Sequence, residues 1–300
     1  QVMWADRLKQ FRDVIRSVDP NARVCLTNVR RSDPYLGVDH YLQDRAMDCI
    51  RSSEFYHQDF NPNILGFCGS AYGFAEEQLK SRFLPSVFDG QVGTSAWWYY
   101  NCFDPDLTTT KSGEDMKKLY QMVMSGLGKL ILTAKRVAQP IAMHYSMTSA
   151  NATWITDGKL FEKPGSENFQ RHYSNRSMWD RILSDLGLQY SWLATEQIEE
   201  GKLDPSKYKV FILPNSISIT RKEAKKIREF VEKGGILIAD AQPGLMDEHA
   251  KWQKPALLNN VFGVSVENLQ TGSGMVTNNI GQGTAYLLNQ FVLNYPENPD

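Results

Sequence analysis

Cysteine is scarce. The 300 residues hold four, Cys25, Cys49, Cys68 and Cys102, and no two of them stand at C-x-x-C spacing. That argues against a zinc site. All four lie in or beside apolar stretches, where a free thiol behaves as a small buried hydrophobe. Histidine is sparse as well. His40, His57, His144, His172 and His249 are scattered, with no pair at the helical spacing of metal ligands, so no metal site is expected. Excess charge of either sign is lacking: 33 Lys and Arg face 34 Asp and Glu, a net charge of −1. This gives no electrostatic reason to expect nucleic acid or an anionic membrane as a partner. No apolar run approaches the ~20 residues of a membrane-spanning helix. The dinucleotide fingerprint G-x-G-x-x-G is missing, as are the nucleophile elbows G-x-S-x-G and G-x-C-x-G. Gly272-Ser273-Gly274 stands too late and too alone to replace them, and no cofactor is expected.

What is present is the composition of a globular protein, with 42% hydrophobic and 22% charged residues. The length suffices for one large or two ordinary domains. The clearest stretch runs from Tyr208 to Asp240. Val210 to Leu213 is a short apolar run closed by Pro214-Asn215, the pattern of a strand buried on both faces. Thr220 and Glu223 have the spacing of a capping box at a helix start. Ala224, Ile227, Phe230 and Val231 recur at helical spacing, and Gly234-Gly235 stop the helix. Ile236 to Ala239 is a second buried strand. Two apolar strands joined by an amphipathic helix make a right-handed βαβ unit, and hence a parallel sheet with helices on both faces.

Before this unit, helix and strand alternate. Trp4 to Ser17 reads as a helix with Trp4, Leu8, Phe11, Val14, Ile15 and Val18 on one side. Strands follow at Arg23–Asn28, Asp48–Phe55, Ile64–Cys68 and Val92–Tyr99, and helices at Tyr41–Ala46, Ala75–Phe88 and Asp115–Ala138, the last broken near Gly126 and Gly128. Alternation without hairpin signals argues for parallel α/β structure. The chain opens at Gln1 and drops at once into a helical pattern, as an excerpt of a longer protein would. The four strands are then the second half of an eight-stranded barrel. Gln139-Pro140 marks a boundary. Beyond it come a strand at Ile141–Tyr145, a long polar loop at Trp154–Gln170, a helix at Tyr173–Leu186 and a strand at Tyr190–Leu193. After the βαβ unit come a polar loop at Gly244–Lys254, a short helix at Ala256–Phe262 and a strand at Gly283–Leu288. The expected architecture is α/β: residues 1–138 as the second half of a TIM (β/α)8 barrel, and 139–300 as a flavodoxin-like, class I amidotransferase-like three-layer domain.

Barrel chemistry sits at the C-terminal ends of the strands. Those ends carry Asn28, then Ser53-Glu54-Phe55-Tyr56-His57, then Gly69-Ser70-Ala71-Tyr72, then Trp97-Trp98-Tyr99. Aromatic faces pack against the C–H faces of sugar rings, and carboxylates, amides and histidines bind hydroxyls, so Tyr56, His57, Ser70, Tyr72, Trp97, Trp98 and Asp104 are candidates for substrate contact. Side chains alternate along a strand, so at most one of Trp97 and Trp98 faces the barrel mouth. Glycoside hydrolysis needs two carboxyl groups flanking the bond. Glu54 is the best single candidate. Glu76, with Glu77, also suits a helix start, where the dipole favours acids.

With these elements in place, the chain resembles the family 42 glycoside hydrolases of β-galactosidase type. Gly90 to Tyr100 (GQVGTSAWWYY), with the helix through Lys135-Arg136, is similar to that barrel's eighth strand and last helix. Pro140 to Ser149 (PIAMHYSMTS) is similar to the first strand of the family's middle domain. Tyr208 to Glu248 resembles the amidotransferase-like core of that domain, the trimerisation domain. The resemblance implies a retaining hydrolase with two glutamates, no metal in the chemistry, a carbohydrate substrate and a homotrimer. The family's acid/base follows an Asn at the end of the fourth strand, which would precede Gln1. Its nucleophile closes the seventh strand, and here that end reads Phe67-Cys68-Gly69-Ser70 with no carboxylate. Either Glu54 or Glu76 substitutes, or the protein binds sugar without cleaving it. A third alternative, an amidotransferase- or flavodoxin-like enzyme acting through the second domain, is weakened by the missing cysteine and glycine motifs.

Overall fold

The computed structural model describes residues 2–26, 38–52, 57–69, 84, 87–88, 91–95, 102–134, 139–156, 171–270, 272 and 274–293. The chain divides into two compact units, one built from residues 1–32 and 37–136, the other chiefly from 137–300.

The first unit holds a four-stranded sheet of β1 (Cys25–Leu26), β2 (Cys49–Ser52), β3 (Leu65–Gly69) and β4 (Gly93–Ser95), in that spatial order. Every pairing is parallel, with Cys25 opposite Cys49, Cys49 opposite Leu65 and Phe67 opposite Gly93. Consecutive strands lying side by side in parallel form an arc of a (β/α) barrel. Helix α1 (Val2–Val18) precedes β1, and α2 (His40–Ala46) and α3 (His57–Phe60) flank β2. Asp39 caps α2 by accepting the Tyr41 N–H at 3.0 Å. Asp48, just before β2, accepts from Arg16 of α1 at 2.6 Å and from the Val24 N–H at 2.9 Å, and so fixes the helix to the strand entrance.

Three findings differ from the sequence expectations. The apolar stripe of α1 is buried only at Leu8, with Ala5 beside it, and Trp4, Phe11, Val14, Ile15 and Val18 are exposed. A periodic stripe reports that a helix has an apolar side, and not how much of that side a neighbour covers. Cys25 and Cys49 are not separate buried thiols. They face each other across β1 and β2 with Cα atoms 4.5 Å apart and are joined as a disulfide, while Cys102 is a free buried thiol. Strand register, invisible to a spacing rule, makes that pair. The last helix of the unit starts at Lys111, capped by Thr110, rather than at Asp115, while its break falls at Gly126 as expected. It runs as α4 (Lys111–Met122), a wide turn at Val123–Leu127 and α5 (Gly128–Thr133), with Gly126 at φ +125°, a conformation glycine adopts without steric penalty.

The second unit has a six-stranded sheet: β5 (Ile141–Tyr145), β6 (Ser191–Ala194), β7 (Val210–Leu213), β8 (Ile236–Ala239), β9 (Met275–Ile280) and β10 (Gly283–Leu288). The spatial order is β6-β5-β7-β8-β10-β9, parallel except for β9, which pairs antiparallel with β10. Leaving β9 aside, this is the 2-1-3-4-5 order of a flavodoxin-like sheet. Helices α6 (Met147–Thr156) and α7 (Arg171–Asp185) join β5 to β6. Helix α8 (Thr195–Glu199) follows β6, α9 (Arg221–Glu232) joins β7 to β8, and α10 (Asn259–Phe262) lies between β8 and β9. The βαβ unit forms as read: Thr220 and Glu223 make the capping box, and Ala224, Ile227, Phe230 and Val231 are the buried side of α9. The core sets these against Phe211, Leu213, Leu237, Ala239, Ala285 and Leu287. Helix α6 and strand β9 escaped the sequence reading. Strand β9 is half-exposed along its length and turns into β10 through Gly281-Gln282, with Gly281 at φ +58°.

Gly283 opens β10 against the end of α9. A Cβ there would run into the carbonyl oxygens of Val231 and Gly235, both backbone and unable to rotate away. Gly283→Ala is expected to destabilise the fold by about 2–3 kcal/mol. Urea unfolding reads this as a lower midpoint at an unchanged m-value, and an unchanged midpoint would show that the α9–β10 approach is not tight.

Candidate functional site

In the first unit the register aligns the strand ends on one edge. Ser52 of β2 is opposite Cys68 of β3, and Gly69 of β3 is opposite Ser95 of β4. Adjacent strands lie about 4.8 Å apart, so three neighbouring strand ends lead into the candidate segments. Glu54 and Tyr56 follow β2 in the chain, Ser70 and Tyr72 follow β3, and Trp97 and Trp98 follow β4. These six residues, together with Glu76, lie outside the described residues.

The two remaining candidates are described. His57 opens α3, where its side chain is buried and its Nδ1 lies 2.8 Å from the carboxylate of Asp44 on α2. Its ring also lies 5.2 Å from that of His40. Burial pushes the Asp44 carboxyl above the usual range, against the pull of His57. Asp44 is thirteen residues from His57 and shares no motif with it, so spacing gave no sign of the pair. Asp104 is exposed in a tight turn, its N–H donating to the Thr108 carbonyl and its own carbonyl accepting from the Leu107 N–H, both at 2.8 Å.

The second unit places its chemistry differently. In a flavodoxin-like sheet, ligands occupy the crevice where the strand order reverses, here beyond the C-terminal ends of β5 and β7. That place is filled by the chain itself. Ser149 Oγ donates to the Ser218 carbonyl at 2.9 Å and accepts the Ser218 N–H at 3.0 Å, and Ser146 sits 2.9 Å away. His144 Nε2 lies 2.7 Å from Glu223 Oε1, and its Nδ1 lies 2.9 Å from Ser216 Oγ. Thr195 adds a hydroxyl donor to the same Glu223 oxygen at 3.3 Å. The list Ser, His, Glu suggests a hydrolytic triad, but the geometry does not. In such triads the acid holds Nδ1 and the nucleophile faces Nε2, the reverse of this arrangement. Ser216 is only 1% exposed, and His144 and Glu223 are equally buried. The group is a sealed polar core.

A second buried network lies beside it. Asp240, at the end of β8, accepts from Asn175 and Trp179 of α7 and from the Asn215 N–H at 2.7 Å. Asn175 in turn accepts the Val292 N–H at 2.8 Å, tying the late segment to α7. Burial outweighs these donors and raises the Asp240 pKa to about 7. The Asn215 backbone also bonds His172, whose pKa burial lowers to about 3, helped by Arg176. Among the described residues no cluster of three or more His, Cys, Asp or Glu side chains could hold a metal ion.

A parallel barrel arc followed by a flavodoxin-like domain whose ligand crevice is filled by its own side chains defines a class of fold, a (β/α) arc carrying a doubly wound α/β domain. The family model described as the beta-galactosidase trimerisation domain matches residues 141–293, just over half of the chain, and the chain belongs to that family of β-galactosidase-like glycoside hydrolases. No curated protein matches it in sequence. Among solved structures, the β-galactosidase from Bacillus circulans sp. alkalophilus superposes with a TM-score of 0.73 at 15% identity, over 95% of this chain and 53% of its own. The β-galactosidase from Rahnella sp. R3 gives 0.71 at 14% identity, over 97% and 57%. An exo-carrageenase from Bacteroides ovatus gives 0.56 at 13% identity, over 96% and 42%. The chain thus spans about half the length of the solved structures it resembles, and at these identities the likeness is one of fold.

The two buried titrating groups set opposite pH trends. Asp240 keeps its proton to about pH 7 in the fold but only to about 4 unfolded, so its contribution is present at low pH and is lost as pH rises through 7. His172 stays neutral down to about pH 3 folded but charges near 6.5 unfolded, so its contribution is present above 6.5 and is lost as pH falls. Between about pH 4 and 6.5 the two nearly cancel. Relative to the parent protein, Asp240→Asn is expected to gain stability with rising pH by about 1 kcal/mol per pH unit, and His172→Gln to lose it at a similar rate. Chemical denaturation at half-unit pH steps reads both slopes, and slopes of the same sign would contradict the assignment.

Proposed function

We propose that the chain supplies the C-terminal half of a β-galactosidase-type barrel and its trimerisation domain, and that the whole enzyme hydrolyses β-linked galactosides or related sugars. The observation that carries this is the order of parts: a parallel arc β1–β4, then a domain matching the trimerisation model from residue 141 onward. The sealed crevice between β5 and β7 leaves the strand ends of the arc as the place for chemistry.

In a retaining mechanism two carboxyl groups about 5 Å apart divide the work, one as acid and base, the other as nucleophile. Glu54, directly beyond β2, and Glu76, beyond β3, are the candidates for the nucleophile, and the acid/base would come from the preceding half of the barrel. Trp97 or Trp98, with Tyr56 and Tyr72, offer aromatic faces to the sugar ring. Ser70, His57 and Asp104 are the polar candidates around it, and Asp44 would hold the His57 ring in place. The protein works as a homo-oligomer, a trimer through the second unit.

A second reading is favoured by one feature. Strand β3 closes on Cys68 and Gly69 and is followed by Ser70, with no carboxylate where the family's nucleophile stands. On this reading the protein is a catalytically degenerate carbohydrate-binding or assembly protein of the same lineage.

Hydrolysis of nitrophenyl glycosides by the longest natural form of the protein separates the two. The glycosidase reading expects turnover with the β-galactoside leading, and a loss of at least about a hundredfold in kcat in one of Glu54→Gln and Glu76→Gln with the fold intact by circular dichroism. No turnover of any glycoside would move the assignment to the binding protein.

A further inference from the structure

In the second unit Trp179 and Trp192 are each 7% exposed, whereas Trp252 is 61% exposed. It sits in the loop after β8, and that loop is tightly built. The Met246 backbone bridges Ser218 on one side and Trp252 on the other. Asp247 accepts the N–H groups of His249 and Lys251, each at 3.0 Å, and the Gln253 side-chain amide at 2.9 Å. Ser218 Oγ donates to the Asp247 carbonyl at 2.7 Å, and Arg221 on α9 donates to Gln253 at 3.0 Å. Met246 at the root of the loop is fully buried. The tryptophan is therefore held out to solvent by a backbone that has already given up its freedom.

A rigid exposed aromatic is the residue type that dominates binding energy at protein interfaces, because little entropy remains to be lost when it is covered. Such contacts set an aromatic centre within a polar rim. The neighbouring positions carry both signs, with Glu248, Lys251 and Lys254 all exposed. A mixed rim gives no preference for nucleic acid or an anionic surface. It suits a surface that must meet another part of an identical chain. The loop also lies inside residues 141–293, the stretch matched by the trimerisation model.

We propose that Trp252, presented by the loop 245–253, anchors the contact between copies of this chain. The proposal rests on the homo-oligomer reading given above and names the residue on which the contact turns. Trp252 follows β8 at the C-terminal edge of the sheet. Leu186, also exposed, precedes β6 at the opposite edge and serves as the control.

Sedimentation velocity of the longest natural form of the protein over a range of concentrations tests this. Trp252→Glu is expected to weaken self-association at least about 30-fold relative to the parent, while Leu186→Glu associates as the parent does. The Trp252 side chain makes no bond that holds the loop, and circular dichroism checks each fold; should Trp252→Glu lose it, Trp252→Gln takes its place with the same readout. Association of the Trp252 variant at parental strength would overturn the anchor and leave the oligomer standing. A parent chain that stays monomeric at every concentration would overturn both, and so the two failures are distinguishable.

Discussion

The second unit turns on one buried carboxylate. Glu223 is wholly removed from solvent. One of its oxygens takes the Thr220 N–H at the start of α9, and the other takes His144 of β5 and Thr195 of α8. A buried carboxylate without partners costs several kcal/mol, and these donors offset that cost. The capping box is a local device for starting a helix. Here its acid also fixes where that helix starts relative to two neighbouring elements. Ser216, the hydroxyl cluster around Ser218, and Asn215 with Asp240 add to this network, and among the described residues these side chains occupy the point where the strand order reverses.

This closure decides where function can be sought. A doubly wound sheet normally receives its ligand at that point. Here the domain fills that point with its own hydroxyls and an imidazole, and the family model that matches it is described by trimerisation. On the function proposed above, the sugar chemistry falls to the aligned ends of β2, β3 and β4. The dyad Asp44–His57 is the one part of that neighbourhood with a described side-chain geometry, and it brings a buried acid up against the residue that opens the segment after Glu54.

Local chemistry made much of the fold legible. The apolar run Val210–Leu213, the Thr220/Glu223 spacing and Gly234-Gly235 each state their own conformation, and the structure repeats them. The break near Gly126 was readable because only glycine takes φ +125° cheaply. What was not legible depends on partners distant in sequence. The Cys25–Cys49 pairing follows from strand register, 24 residues apart. The His144–Glu223 contact spans 79 positions, from 144 to 223, and joins two motifs that each look complete alone. Helix α6 has a weak apolar pattern because the Ser and Thr side chains within it are part of the polar core, and so it reads as loop. Strand β9 is an edge with one half-covered face, rich in Asn and Thr. For the candidate site, the strand ends could be located from sequence, but the inward, Asp44-bound position of His57 could not.

The measurement that bears most directly on this account is amide hydrogen exchange of the longest natural form with and without saturating galactose. The account predicts slowed exchange after β2, β3 and β4, within residues 53–57, 70–73 and 96–104, and no change at 144–149 or 215–218. Protection appearing at 215–218 instead would mean that the crevice of the second unit opens to a ligand, and the division of labour argued from Glu223 would be wrong.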